Sequence, residues 1–115
     1  MVLDPADTGV AGMYHLMNAA IGPRPVAWVS TRSATGVLNL APHSYTTVFS
    51  IDPPIVGFVS IGRKDTLANA ETTGEFVLNI AGADLVEALN LTAADFPAEE
   101  DELKATKEYA DRAFY

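Results

Sequence analysis

The sequence predicts a single domain of mixed α and β structure, or a small barrel, built from antiparallel strands. Its 115 residues suit one domain with one hydrophobic core. The β-type segments follow one another through short turns, whereas parallel strands need long crossover connections. Short helix-like segments lie before, between and after the strands. These observations favour an α+β arrangement over a doubly wound parallel sheet.

The first part of the chain predicts a helix followed by a β-hairpin. Residues 8–20 carry apolar side chains at helical spacing, with Thr8 as the expected N-cap. A strand rich in β-branched and aromatic residues is expected at 25–31. The turn 33–36 then leads into a second strand at 37–41.

The middle of the chain predicts two further strands of different character. Residues 43–50 keep β-type residues but carry hydroxyl groups at five of the eight positions. Since a buried strand would need a partner for each hydroxyl, this segment faces water or a polar ligand. Residues 55–61 are apolar on both faces, which is typical of a central strand.

The second half alternates helices with one strand. A helix begins at Asp65 or Thr66 and ends at 73–74, where a glycine occupies the usual position after a helix C-terminus. A strand is expected at 75–80 and a short helix at 83–90. Residues 99–114 are helical by propensity, with a narrow apolar face.

Composition excludes several classes of protein. The chain has no cysteine, which excludes disulfides, thiolate metal sites and cysteine nucleophiles and favours a reducing compartment. Its formal charge of −8 disfavours binding to nucleic acid or to an anionic membrane. No apolar run approaches the roughly 20 residues of a membrane helix, and no signal sequence is evident. We therefore expect a cytoplasmic protein with neither nucleic acid nor membrane as a partner.

Residues 60–71 contain the pattern of an anion-binding site. An apolar run ends at Gly62, the cations Arg63 and Lys64 follow, and an Asp-Thr pair opens a helix. The first N–H groups of a helix lack intrahelical partners and carry partial positive charge, so they attract phosphate groups. The alternative is an ordinary helix start with two solvated cations beside it.

The remaining candidate residues are small polar groups at strand ends. The sequence has no Gly-x-Gly-x-x-Gly motif, no Walker-type loop and no serine-nucleophile or zinc motif, so we predict neither a catalytic residue nor a metal site. Donors and hydroxyls without an acid–base pair suit a protein that holds a cofactor. These candidates are Ser30, Thr31, Arg32, Asn39, Ser44, Tyr45, Ser60, Arg63, Lys64 and Thr66.

Five motifs together resemble the flavin reductase-like family of FMN-binding split barrels, in order and in spacing. They are Arg-Pro-Val-Ala-Trp-Val-Ser-Thr (24–31), Asn-Leu-Ala-Pro-His-Ser-Tyr (39–45), Asp-Pro-Pro (52–54), Gly-Arg-Lys-Asp-Thr (62–66) and Thr-Gly-Glu-Phe-Val-Leu-Asn (73–79). Asp-Pro-Ala at 4–6 and Asp-Phe-Pro at 95–97 also resemble the family. The match therefore covers most of the chain before residue 98.

The resemblance implies a six-stranded antiparallel Greek-key barrel that forms a homodimer with flavin at the subunit interface. The cofactor would be FMN or alternatively FAD, with NADH or NADPH as co-substrate and a monooxygenase as a further partner. By resemblance, the flavin ring edge would contact Ser30, Thr31, Asn39 and Ala41. Ser44 would lie along the ribityl chain or phosphate, and the phosphate would be held by Arg63, Lys64 and Thr66.

The resemblance also implies that the barrel is incomplete in residues 1–115. Family members continue with further strands, whereas the residues from about 99 onward do not resemble that continuation. Three functions remain open at this point: a flavin reductase that takes hydride from NADH or NADPH, an FMN-binding module without turnover, and an assembly subunit without a ligand. The structural alternative for each candidate residue also stays open, since Ser30 and Thr31 can simply end a strand and Asn39 can satisfy a turn.

Overall fold

The computed structural model describes residues 3–94 and 97, which form three α-helices and five strands. The helices are α1 (Pro5–Ala20), α2 (Asp65–Thr73) and α3 (Val86–Leu91), with a single 3-10 turn at Ala83–Leu85 directly before α3. The strands are β1 (Ala27–Arg32), β2 (Leu38–His43), β3 (Thr46–Ile51), β4 (Pro54–Phe58) and β5 (Val77–Ile80). No helix in this part of the chain is both long and apolar enough to cross a membrane. The helix predicted at 99–114 lies outside the described residues.

All strand pairings in the described structure are antiparallel. The first sheet has the order β2-β1-β5, with Thr31 opposite Asn39 and Trp28 opposite Asn79. The second sheet is the β3–β4 hairpin, which carries a register irregularity between Val48 and Ser50. Short helices precede, separate and follow the strands along the chain, so the mixed, antiparallel fold class predicted from the sequence is confirmed.

The hydrophobic core lies on one face of β1 and β2. Trp28 and Leu40 are completely buried there against Leu85 and Ala88. The indole Nε1–H of Trp28 donates a hydrogen bond of 2.8 Å to Thr92 Oγ1. Leaving this buried donor without an acceptor would cost about 1–3 kcal/mol in stability. The bond also holds the end of α3 against the sheet.

Helix α2 packs on the opposite face of the same two strands. Side chains alternate along a strand, so Thr31 and its partner Asn39 point away from Trp28 and toward α2, where both hydrogen-bond with the helix. The helix ends at Gly74, whose φ of 75° is left-handed and whose N–H donates to the Ala70 carbonyl. A glycine adopts this conformation without steric cost, as the sequence predicted.

Helix α1 begins earlier than the sequence predicted. Its N-cap is Asp4, whose side chain accepts a hydrogen bond from the Ala6 N–H, and Pro5 occupies the first helical position. The predicted N-cap at Thr8 was wrong, because the Thr8 hydroxyl instead donates to the Asp4 carbonyl within the first turn. Gly9, with φ of 71° and ψ of 168°, interrupts the helix one residue later.

The β3–β4 hairpin leaves most of its apolar side chains exposed. Among the described strands β4 pairs only with β3, and Ile55 and Val56 are about half exposed. The expectation of a central strand over 55–61 is therefore wrong for the described residues. On the other strand, Phe49 and Ile51 are exposed as well. The hairpin thus presents an apolar surface that nothing in the described part of the chain covers.

Candidate functional site

A cavity of about 210 Å³ runs along β2. Its walls come from three parts of the chain: residues 39 and 41–43 of β2, residues 64–66 at the start of α2, and residues 92–94, which follow α3. Ligand pockets for drug-sized molecules span roughly 300–1,000 Å³, so this cavity has room for only one part of such a ligand. The lining side chains that matter below are Asn39, Ala41, His43, Lys64, Asp65 and Thr66.

The first turn of α2 offers backbone donors at this cavity. Lys64 occupies the N-cap position with extended backbone angles and supplies no capping side-chain hydrogen bond. The first intrahelical bond runs from the Ala68 N–H to the Lys64 carbonyl, at 3.0 Å. The N–H groups of residues 65–67 precede that bond and have no intrahelical acceptor. Donors of this kind suit a phosphate or carboxylate.

Charges of both signs line this end of the cavity. The Lys64 ammonium is exposed to solvent and the Asp65 carboxylate is partly buried. A carboxylate in the first helical turn stabilises the helix through its dipole, but it opposes a second anion nearby. Lys64 therefore provides the attraction for an anion, together with the helix N-terminus.

Three of the predicted site residues form a buried hydrogen-bond network instead of facing solvent. Thr31, Asn39 and Thr66 are only 5%, 6% and 1% exposed. The hydroxyls of Thr31 and Thr66 both donate to Asn39 Oδ1, at 3.2 and 2.9 Å. Asn69 on α2, which the sequence analysis did not select, donates from Nδ2 to Thr31 Oγ1 at 3.2 Å. The network joins β1, β2 and α2 at the start of the helix.

The predicted serines lie apart from one another. Ser30 is buried on the same face as Trp28 and accepts a bond of 3.3 Å from Asn79 Nδ2. Ser44 is exposed in the connection between β2 and β3. Ser60 follows β4, and its hydroxyl donates to the Gly62 carbonyl at 3.0 Å. None of the three lines the cavity along β2.

The predicted cations also differ in their surroundings. Arg63 is exposed and forms a 2.7 Å ion pair with Glu71 on α2, an interaction of small net value at a solvated surface. Arg32 is exposed at the end of β1. Lys64 is the cation of the predicted set that lines the cavity. Ala41 lines it too, between Asn39 and His43 on the same face of β2.

His43 is a cavity residue to which the sequence analysis assigned no role. Its ring lies 4.5 Å from that of Phe58 between centroids, and Nδ1 lies 3.3 Å from the Val59 carbonyl oxygen. Since a carbonyl only accepts, Nδ1 carries the proton in this contact and Nε2 of the neutral ring is an acceptor. Nε2 is buried without a hydrogen-bond partner among the described residues.

The protonation of His43 is disfavoured by its surroundings. Burial lowers the pKa of the imidazole below its ordinary value of 6.5, and the positive charge of Lys64 lowers it further. The hydrogen bond to Val59 opposes these effects. The cavity therefore presents a neutral imidazole at neutral pH. Alternation along β2, with Asn39 and Ala41 at positions i−4 and i−2, is the sequence signal that predicts His43 on this wall.

Comparison with known proteins gives a consistent family match. A family model described as a flavin reductase like domain matches residues 20–112. An uncharacterized protein of Halalkalibacterium halodurans is 38% identical over 110 residues, which cover 90% of this chain and 52% of that protein. The chain spans about half the length of the curated relatives it matches.

Solved structures agree with the family match. Nitrilotriacetate monooxygenase component B from Bacillus cereus superposes with a TM-score of 0.83 at 37% identity, over 93% of this chain and 55% of that chain. A protein from Shewanella frigidimarina with a split barrel domain superposes with a TM-score of 0.76 at 23% identity, over 86% of this chain and 50% of that chain. The second likeness shows the fold alone, which is that of a split barrel.

The lowered pKa of His43 makes the stability of the fold dependent on pH. Below pH 6.5 the unfolded chain binds a proton at this residue while the folded chain resists doing so. The free energy of unfolding therefore falls as the pH decreases from 6.5 through the folded pKa. We expect a His43→Phe variant, which keeps an aromatic ring against Phe58, to show a weaker fall in urea unfolding experiments over this range.

Nuclear magnetic resonance provides the direct measurement of this pKa. The ring resonance of His43 should titrate with a midpoint below 6.5, and a His15→Gln variant, which removes the other histidine of the sequence, identifies the signal. A midpoint at or above 6.5 would contradict the buried, neutral imidazole.

Proposed function

We propose, because this chain belongs to the flavin reductase-like domain family, that it binds FMN and supports hydride transfer from NADH or NADPH to the flavin. Family membership and the similar solved structures support the coarser assignment, a flavin-utilising oxidoreductase role. This chain matches only about half the length of its relatives. The substrate, the nicotinamide and the partners are therefore part of the proposal.

The observation that supports the proposal is that Lys64 and the first turn of α2, which has no side-chain cap hydrogen bond, line the same cavity. A phosphate there would accept hydrogen bonds from the N–H groups of residues 65–67 and face the Lys64 ammonium. Charge-assisted hydrogen bonds of this type are roughly twice as strong as neutral ones. FMN carries its charge in one terminal phosphate, which suits a single compact site. FAD is the alternative cofactor.

The residues present fit the phosphate end of a flavin. The cavity volume of about 210 Å³ is below the range of pockets that enclose a whole drug-sized ligand. It suits a phosphate with the adjoining part of a ribityl chain. His43 adds a buried acceptor without a partner on the same wall, and a ribityl chain has hydroxyl donors to offer it.

The bound flavin would supply the redox chemistry by accepting a hydride from the reduced nicotinamide. The protein residues would bind and orient. Lys64 and the first turn of α2 hold the phosphate, while Asn39 and Ala41 contact the cofactor along β2. Thr31 and Thr66 support this wall from within the buried network, and Arg63, Ser30, Arg32, Ser44 and Ser60 remain predicted contacts.

The proposed assembly is a homodimer. Residues 46–61, which include both strands of the hairpin, contain a single charged residue, Asp52, although edge strands of soluble proteins are usually protected by charge. Large exposed apolar surfaces mark interaction sites, and we assign this one to a second copy of the chain. A monooxygenase is the proposed recipient of reduced flavin, since one similar structure is a monooxygenase component.

The rival function is an FMN-binding module without turnover. Its support is that the chain spans about half the length of the relatives it matches, so turnover that depends on the other half of those relatives is not part of this proposal. An assembly subunit without a ligand is the third possibility, and measured FMN binding would contradict it.

The phosphate site predicts a selective effect of Lys64. In a Lys64→Met variant we expect FMN affinity, measured by quenching of flavin fluorescence, to fall about tenfold, which is about 1.4 kcal/mol. Riboflavin, which lacks the phosphate, should bind with nearly unchanged affinity, and Lys64→Arg should retain most of the FMN affinity because it keeps the charge. An unchanged preference for FMN over riboflavin would place the phosphate elsewhere.

The reductase function predicts that a reduced nicotinamide bleaches the visible absorbance of the FMN-loaded protein. NADH and NADPH are added separately under anaerobic conditions, with free FMN at the same concentration as the control. Bleaching faster than in the control supports hydride transfer at the protein. FMN binding without faster bleaching by either nicotinamide would instead support the module without turnover.

The dimer predicts that a charge on the hairpin separates the two copies. Ile51, which is 88% exposed, would be replaced by lysine, and sedimentation should then change from dimer to monomer without loss of the circular dichroism signal. Val10 on α1 is 91% exposed, so Val10→Lys is the matched control and should remain dimeric. A monomeric wild-type protein would contradict the proposed interface.

A further inference from the structure

Asn69 belongs to the buried network but not to the cavity wall. Its Nδ2 donates to Thr31 Oγ1 at 3.2 Å across a sequence separation of 38 residues. Thr31 in turn donates to Asn39 Oδ1, and the same oxygen receives the hydroxyl hydrogen of Thr66. Hydrogen bonds therefore link Asn69 in the middle of α2, through Thr31 on β1 and Asn39 on β2, to Thr66 in the first turn of the same helix.

The direction of each bond in this network is determined by chemistry. A threonine hydroxyl has one hydrogen, and in Thr31 that hydrogen goes to Asn39 Oδ1. Thr31 Oγ1 therefore acts only as an acceptor toward residue 69, which must be a donor. An amide fulfils this requirement, whereas a carboxylate of nearly equal size does not.

The network holds α2 at two points along its length. Thr66, in the first turn, contacts β2, and Asn69, three residues later, contacts β1. Residues three apart lie on the same side of a helix, so these two bonds fix both the rotation of α2 about its axis and its height above the sheet. The N–H groups of residues 65–67 take their direction from that rotation.

We propose that Asn69 is a positioning residue for the phosphate site: through Thr31 and Asn39 it orients the first turn of α2 so that its N–H groups and Lys64 face the cavity together. The inference rests on the proposed function, because it assigns Asn69 to selectivity for the phosphate of the flavin. Asn69 itself does not line the cavity and touches no ligand there.

A buried network of this type has little tolerance for a missing partner. Removal of the Asn69 amide leaves Thr31 with an unused acceptor in a site only 5% exposed, and unsatisfied buried polar groups are costly. We expect α2 to rotate slightly about its axis, because the Asn69–Thr31 bond no longer fixes its orientation. Such a rotation would turn the helix N-terminus away from an anion in the cavity without altering β1 or β2.

The test compares FMN with riboflavin in three proteins. Flavin fluorescence gives the dissociation constants for the wild type, for Asn69→Ala and for Thr72→Ala. Thr72 lies on the same helix, is exposed and donates to the Ala68 carbonyl, so it is a matched control outside the network. We expect the preference for FMN over riboflavin to fall about fivefold to tenfold in Asn69→Ala and to stay constant in Thr72→Ala.

A conservative variant separates positioning from general support of the fold. Asn69→Asp has nearly the same size but places an acceptor against Thr31 Oγ1, so it should lose the FMN preference as Asn69→Ala does. Riboflavin affinity should change by less than about twofold in both variants, because riboflavin has no phosphate to hold. An equal loss of both ligands, or an unchanged preference, would overturn the inference.

Amide hydrogen exchange tests the same inference without any flavin. The Ala68 N–H, bonded to the Lys64 carbonyl at 3.0 Å, reports on the first turn of α2, and the Gly74 N–H, bonded to the Ala70 carbonyl at 2.8 Å, reports on its end. Asn69→Ala should speed exchange at Ala68 more than at Gly74. If the wild type binds neither FMN nor riboflavin, the proposed function is wrong, but the exchange measurement still tests the role of Asn69. Equal changes in exchange at Ala68 and Gly74 in Asn69→Ala would overturn the positioning role.

Discussion

The burial of Trp28 on the central strand is the constraint from which the shape of the site follows. Its side chain is completely buried, and an indole N–H in that position requires an acceptor. Thr92 provides it from 64 residues further along the chain. The bond brings the residues after α3 against the sheet, and Thr92, Ala93 and Ala94 consequently form one wall of the cavity. An interaction within the core thus determines where a functional surface can exist.

The opposite wall depends on the alternation of side chains along the same strand. With Trp28 directed to the core, Thr31 three residues later must point to the other face, where Asn39 and α2 meet it. A shift of one residue in the pairing of β1 with β2 would exchange the two faces. It would put hydroxyls into the apolar core and an indole against the helix start. Core and site are therefore specified by one register.

The sequence predicted those features that depend on neighbouring residues. The strands β1 and β2, the start of α2 at Asp65 and its end at Gly74 follow from local composition and helix-end chemistry, and the structure confirms them. Asn69 was missed because its role lies in a bond across 38 residues, and a lone asparagine in a helix has no distinguishing pattern. The prediction of a central position for β4 was wrong for a related reason. An apolar strand indicates burial, but its sequence does not show which part of the protein, or which second chain, buries it.

The two proposals for the site and for the hairpin have a joint consequence. Under the proposed function, the cavity of about 210 Å³ would hold the phosphate end of a flavin, and the ring would lie beyond the described walls. A second copy docked on the β3–β4 hairpin would lie beside β2, because His43 contacts Phe58 of β4 directly. The ring would then touch both copies. Under that arrangement flavin binds the dimer more tightly than the monomer, and by linkage the flavin strengthens the dimer to the same extent. Association of the two copies and binding of the cofactor would then be coupled equilibria. His43 would link the two sites, because it lines the cavity and also contacts Phe58 of the hairpin.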